Sequence, residues 1–353
     1  MQTVTTPAHA RHNAQRIGRW LLLWAASLFL LVLIGGGTRL TESGLSITEW
    51  KPVTGVLPPL TAADWNDAFV KYQQIPQYTQ MNAGMTLSQF KGIFLWEFMH
   101  RFWARFVGVI FALPLLWFWM RGAVPAQVRT RLLTLLVLMG LQGAMGWYMV
   151  KSGLTARVNV SQYRLAAHLS LALVIYLLTW WTALDLLSPS NDRGADTRQI
   201  TARLRNTLGA LTTFAFGVVV SGAFVAGLRA GRIYNTFPMM GDRWIPAEYG
   251  QLSPAWLNVF ENPSAVQFDH RLLAITLLVA GLATWWVGAR AAAGTLTARR
   301  LMWVAVAVSV QAALGISTVL LSVPVWLGVA HQAGAVLVLT ALLAAWHAAA
   351  NRR

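Results

Sequence analysis

Residues 96–120 read WEFMHRFWARFVGVIFALPLLWFWM. From Phe106 to Met120 nothing is charged, and the run is apolar enough to lie in a membrane. Its first half nevertheless carries Glu97, His100, Arg101 and Arg105 among aromatic side chains. Ionisable groups inside a span cost roughly 2.5–3.5 kcal/mol each on insertion scales and usually mark function. The stretch therefore fixes the class of fold and asks what a carboxylate, an imidazole and two guanidinium groups serve at one end of a greasy helix.

The rest of the chain agrees with a membrane setting. Of 353 residues, 56% are hydrophobic and 11% are charged, against roughly 25% charged in soluble domains. Apolar runs near 20–38, 93–119, 132–150, 162–187, 207–228, 266–289, 301–322 and 325–347 predict eight spans. This is the pattern of an all-α polytopic membrane protein; a soluble chain of this length could not hide so much apolar surface. The formal charge of +16 does not point to nucleic acid, because the basic residues punctuate the apolar runs and form no patch. With the N-terminus inside, fifteen of the 28 basic residues fall in inside segments and nine in outside loops. That bias predicts that both termini are cytoplasmic. The first 19 residues lack acidic groups but lead straight into a span, and read as a cytoplasmic tail rather than a transit peptide. The absence of cysteine excludes disulfides, thiolate ligands and covalently attached c-type haem.

Two outer loops, about 40–92 and 229–265, contain Pro, Gly and Trp with amphipathic pieces such as DWNDAFVKYQQI, and predict folded caps over the membrane face. The stretch SPSNDRGADTRQ divides the chain. The halves on either side resemble each other. His100-Arg101 in EFMHRFWAR matches His270-Arg271 in QFDHRLLAI, 170 residues on; LQGAMG matches VQAALG, 169 on; His168 matches His331, 163 on. Two pseudo-symmetric four-helix bundles follow, 1–190 and 207–353, joined by a linker over 191–206.

Each unit then offers one histidine on its second span and one on its fourth, all within about two turns of the outer face. Paired histidines in a four-helix bundle are the usual way to hold a porphyrin iron from both sides. A mononuclear copper or zinc site would need further ligands, and the second unit offers few. His9, His12 and His347 are outside this set; His347 lies sixteen residues beyond His331, ~24 Å along the helix.

The halves differ in charge. Glu97 aligns with Gln267, Arg105 with Ile275 and Arg164 with Leu327. Glu97 and His100 are three apart on one helix face, which places a carboxylate beside whatever the imidazole binds. An electron-transfer haem has no use for it; a reacting haem does. The first unit therefore reads as a substrate pocket and the second as the seat of a resident cofactor. Arg101 and Arg271, each following a histidine, suit haem propionates, as do Arg105 and Arg164; snorkelling to lipid headgroups is the alternative.

The run GGGTRLTESGLSITEWKPVTGVLPPL at 35–60, with EFMHRFWAR, QYRLAAHL, QFDHRLLA and GVAHQAGA, resembles the haem A synthase family from about residue 17 to 348. The resemblance implies an enzyme of the bacterial cytoplasmic (inner) membrane that oxidises the C8 methyl of haem O to the formyl of haem A. It implies axial ligation of haem b iron by His270 and His331, a substrate haem flanked by His100 and His168, and Glu97 as the catalytic carboxylate. The partners it implies are haem O, the haem O synthase, membrane lipid and an electron acceptor or donor, with a homo-oligomer left open and no nucleic acid. Some members carry a cysteine pair in an outer loop; this chain has none and resembles the cysteine-free branch. A dihaem or quinone-linked cytochrome and a transporter stand as rival readings, separated from the synthase by which haems the purified protein contains.

Overall fold

The computed structural model describes residues 7–51, 54–156, 160–188 and 202–350. Eight of its helices are long and apolar enough to cross a membrane. They are α1 (Pro7–Leu40), α4 (Leu87–Met120), α5 (Ala126–Ala156), α6 (Gln162–Leu187), α7 (Ala202–Gly227), α9 (Pro263–Ala291), α10 (Leu296–Leu320) and α11 (Val325–Ala350). Short helices α2 (Ala62–Gln73), α3 (Pro76–Met81) and α8 (Asn258–Glu261) lie in the two long loops. Among the described residues no strand forms beyond one isolated bridge, Met240 to Arg243. In hydrocarbon every backbone N–H and C=O must be satisfied within the segment, which for single spans leaves the helix.

Several helices begin before the apolar run does. Thr86 accepts from Gln89 N while the Gln89 side chain accepts from Thr86 N, so α4 starts at Leu87. The Asn262 side chain caps the backbone of Ser264 and Ala265 ahead of Pro263 in α9, and Thr295 caps α10. Hydropathy measures only the part in hydrocarbon; capping side chains set where the hydrogen-bonded helix starts. Residues 202–206, which the sequence reading gave to the linker, are the first turn of α7. The remainder of that linker, with Arg193 and Arg198, lies outside the described residues, as do Arg352 and Arg353.

In the first half α1 packs on α4 and α6, and α5 packs on α6. In the second, α9 and α11 pack on both α7 and α10. One contrast stands out: α9 and α10 are closely apposed, whereas α4 and α5 barely meet. The indole N–H groups of Trp20, Trp24 and Trp103 donate to Ile110 O, Val107 O and Ser27 O at 2.9, 3.1 and 3.0 Å, pinning α1 to α4 across an apolar interface. Buried indoles need such acceptors.

The halves join through α6–α7, α1–α11 and α6–α11. Arg39 donates to Ala226 O at 2.8 Å and Gly227 O at 3.1 Å, satisfying the last carbonyls of α7. Gln332 Nε2 donates to Val32 O at 2.9 Å, and the Tyr176 and Thr340 hydroxyls meet at 2.9 Å. At the end remote from the long loops, Asp185 pairs with Arg131 and lies 2.9 Å from Nε2 of the buried His347. His347 is thus a contact between α6 and α11.

The first long loop is folded, as its composition predicted. Thr61 and Asp64 form a reciprocal cap for α2, and Leu45, Tyr72, Ile75, Phe90 and Phe94 make a separate core above the bundle.

Candidate functional site

The four histidines named from the sequence sit on α4, α6, α9 and α11. Each ring faces a glycine of a neighbouring helix. A Cβ at Gly35 would lie 3.3 Å from His100 Nε2, and one at Gly146 3.3 Å from His168 Cε1. In the second half a Cβ at Gly222 would come to 3.1 Å from His270 Cε1, and one at Gly315 to 2.9 Å from His331 Cε1. The sequence reading did not single out these glycines. The signal was present: Gly146 and Gly315 close the matched LQGAMG and VQAALG, and Gly35 opens GGG.

His270 and His331 face each other with ring centres 6.5 Å apart and planes at 88°. Two imidazoles bonded at about 2 Å to opposite sides of one metal would have centres about 6 Å apart, so the spacing suits a shared axial metal. Ser221 Oγ donates to Val218 O at 2.7 Å and therefore accepts from His270 Nδ1 at 2.8 Å. That fixes the proton on Nδ1 and leaves the Nε2 lone pair for a ligand, the outer arrangement that orients metal-binding histidines. Gln311 Nε2 lies 3.1 Å from His331 Nδ1 while its buried Oε1 has no partner. Turning that amide over would let Oε1 accept Nδ1–H and free Nε2 in the same way. The donor set fits a metal held by two histidines. Among the described residues no group of three or more His, Cys, Asp or Glu could hold a metal, so these two histidines have no third ligand of those types beside them.

The first pair is held less firmly. Gln142, equivalent to Gln311, lies 3.3 Å from His168 Nδ1 and donates to His168 O at 3.1 Å. His100 makes no side-chain hydrogen bond among the described residues; a serine stands at position 221 where the first half has Ile34.

Glu97 is 2% exposed, and both its oxygens are engaged. Oε1 accepts from Arg101 Nε at 3.0 Å and Nη2 at 2.6 Å; Oε2 accepts from Ser46 Oγ at 2.8 Å and Ile47 N at 2.7 Å. Arg101 also donates to Ile47 O and Glu49 O at 2.8 and 3.0 Å. Together they clasp residues 46–49 to α4. The second half repeats the clasp without the carboxylate: Gln267 and Arg271 both donate to Tyr234 O, at 3.0 and 2.7 Å, and Arg271 to Thr236 O at 2.8 Å. The E/Q-x-x-H-R motif therefore brackets each histidine with the residues that tie down the loop above it. Arg105 donates to Lys51 O at 2.8 Å, and Arg164 bonds Ser152 with its guanidinium 4.8 Å from the Tyr148 ring centre. In the same loop, hydrogen bonds from Lys51 and Lys71 hold the Glu49 carboxyl below its ordinary range.

Fold and geometry together describe a multi-pass helical membrane protein with a histidine on each of four spans, two of which, His270 and His331, face each other. Comparison with known proteins makes this specific. The sequence profile of the cytochrome oxidase assembly protein family, COX15-CtaA, matches residues 18–343. Curated relatives named heme A synthase include one from Sinorhizobium fredii, 50% identical over 95% of this chain and 90% of its own length. Those of Parvibaculum lavamentivorans and Nitrosospira multiformis are 48% and 47% identical, over 96% and 97% of this chain and 94% and 97% of theirs. The chain belongs to this family, as its loop and histidine motifs predicted.

Proposed function

We propose that this protein is a haem A synthase, an oxidoreductase that converts the C8 methyl of haem O to a formyl group. The relatives' shared name over nearly the full chain supports the reaction; the difference between the two histidine pairs carries the division of labour. The second unit, 207–353, would hold haem b through His270 and His331; Ser221 directs the His270 ring proton away from the ligand side, and Gln311, with its amide turned over, would do the same for His331. When bound, that haem supplies one-electron redox chemistry. The first unit, 1–190, binds the substrate haem O between His100 and His168. Looser partners suit a ligand that must arrive and leave.

On the substrate, the methyl and one water give the alcohol with loss of two electrons and two protons, and a second water with a second two-electron, two-proton loss gives a gem-diol that loses water to the aldehyde. The electrons leave to an acceptor in the membrane. Glu97 presents a carboxylate, paired with Arg101, three residues from His100, and in that position it could stabilise electron deficiency at the methyl carbon. Because Arg101, Ser46 and Ile47 already occupy its oxygens, charge stabilisation suits it better than proton acceptance. Of the arginines expected at propionates, Arg101, Arg105 and Arg271 each donate to loop carbonyls, while Arg164 lies against Tyr148 and Ser152 at the loop end of α5. The basic residues favour both termini on the cytoplasmic side of the membrane; the setting that goes with this reading is a bacterial inner membrane, with haem O supplied by a haem O synthase.

Extraction of the pigments from the purified protein tests the reading. Haem b together with haem A or hydroxylated haem O is expected. Haem b alone would make this an electron carrier.

A further inference from the structure

A cavity of about 280 Å³ opens where α4 and α5 diverge, beneath the loop that follows α1. Ile47 and Trp50 of that loop, Arg101 of α4, and Trp147, Lys151 and Leu154 of α5 line it. Two of these are the chain neighbours of first-pair contacts. Arg101 follows His100, and Trp147 follows Gly146, whose Cβ position is 3.3 Å from His168. Its walls are thus tied along the chain to His100 and to the glycine that faces His168.

Its electrostatics are one-sided. Glu49 also reaches the wall, but Lys51 and Lys71 hold its carboxylate at 3.0 and 3.1 Å. Arg101 is matched by Glu97. Lys151 has no ion pair among the described residues, and its ammonium lies 5.0 Å from the Trp147 ring centre. At the 169-residue offset that aligns LQGAMG with VQAALG, Trp147 and Lys151 correspond to Ile316 and Leu320, so the second half lacks both the aromatic wall and the cation. An unmatched cation over apolar walls suits an anionic arm on a flat, greasy molecule.

Resting on the assignment of the first pair to substrate, we propose that this cavity is the carboxylate subsite of the substrate haem. Lys151 is the cation that pairs a propionate, and Trp147 covers the adjoining porphyrin edge. The resident haem has no such subsite because Leu320 stands in its place.

Titrating the protein, loaded with its resident haem, with haem O and with haem O dipropionate dimethyl ester tests this by absorbance. The free diacid should bind about tenfold more tightly than the diester. Lys151→Met should remove that preference, lowering diacid affinity about tenfold (about 1.4 kcal/mol) while leaving the diester and the resident haem spectrum unchanged; Lys151→Arg should retain it. Equal loss of both porphyrins, no loss of either, or an effect confined to retention of anionic phospholipid would overturn the proposal. His100→Ala and His168→Ala separate the two layers: if both bind haem O as the wild type does, the assignment of the pair fails, while the diacid–diester difference at Lys151 still decides the cavity.

Discussion

In the second half, His270 is oriented by Ser221, itself anchored on Val218 O, and His331 by Gln311, with the rings 6.5 Å apart. In the first half, Ile34 stands where Ser221 would be, and His100 is left without a hydrogen bond among the described residues. The loop clasp reverses the emphasis: a neutral amide, Gln267, in the second half, and a buried ion pair, Glu97–Arg101, in the first. On one side the frame carries an α9 histidine anchored by Ser221 and an arginine clasp with no carboxylate in it, and on the other His100 without a side-chain hydrogen bond beside a carboxylate–arginine pair, all among the described residues. A site that keeps its cofactor benefits from preorganised ligands; a site that changes its ligand's oxidation level benefits from preorganised charge.

The largest expected effect would break that comparison outright. His270→Ala or His331→Ala should abolish the low-spin haem spectrum. His100→Ala or His168→Ala should keep it while haem A formation falls by roughly 10²-fold or more, the scale of mispositioned reactants. Visible spectra and haem extraction measure both; loss of haem b from His100→Ala with retention in His270→Ala would reverse the halves.

Glu97→Gln makes the first clasp resemble the second. Removing one partner of a buried ion pair costs about 3–5 kcal/mol, here reduced because the amide keeps part of the hydrogen bonding. The variant should hold haem b yet form little haem A, and its 46–49 segment should be cut faster by added protease. Normal haem A yield would remove the carboxylate from the chemistry and leave it a loop clasp alone.

A smaller effect belongs to the glycines. Gly315→Ala drives a methyl to 2.9 Å from the His331 ring, and Gly146→Ala brings one to 3.3 Å from His168. Overpacking costs of order 1–3 kcal/mol, and the tighter site should show it more, as a shifted low-spin band in Gly315→Ala and an unshifted one in Gly146→Ala.

The smallest effect is in pH. Glu49 has a lowered folded-state pKa, first through its hydrogen bonds to Lys51 and Lys71. Its contribution is therefore present above the ordinary carboxylate value and is lost as pH falls through the lowered one. Because the group is exposed, solvent screening keeps the effect slight. Protease cutting of the first loop should rise modestly on acidification below about pH 4.5, and the second loop, where the Tyr234 hydroxyl holds the Glu248 carboxyl low, should respond in the same direction.

The membrane class, the eight spans and the four histidines were legible in the sequence because each rests on a one-dimensional signal. Twenty apolar residues must be a helix in hydrocarbon, and a repeat keeps its spacing. The asymmetry of Glu97 against Gln267 was legible for the same reason. Its meaning was not: that carboxylate accepts from Ser46 and Ile47, fifty-odd residues upstream, and only the folded loop brings them there. Helix starts at Leu87 and Pro263 depend on side-chain caps that hydropathy does not weigh. Gly35 against His100, Ser221 against His270, and the cavity between Arg101 and Lys151 are contacts between helices. Nothing local in the chain specifies which faces of two spans will meet, because that is decided by how whole helices pack.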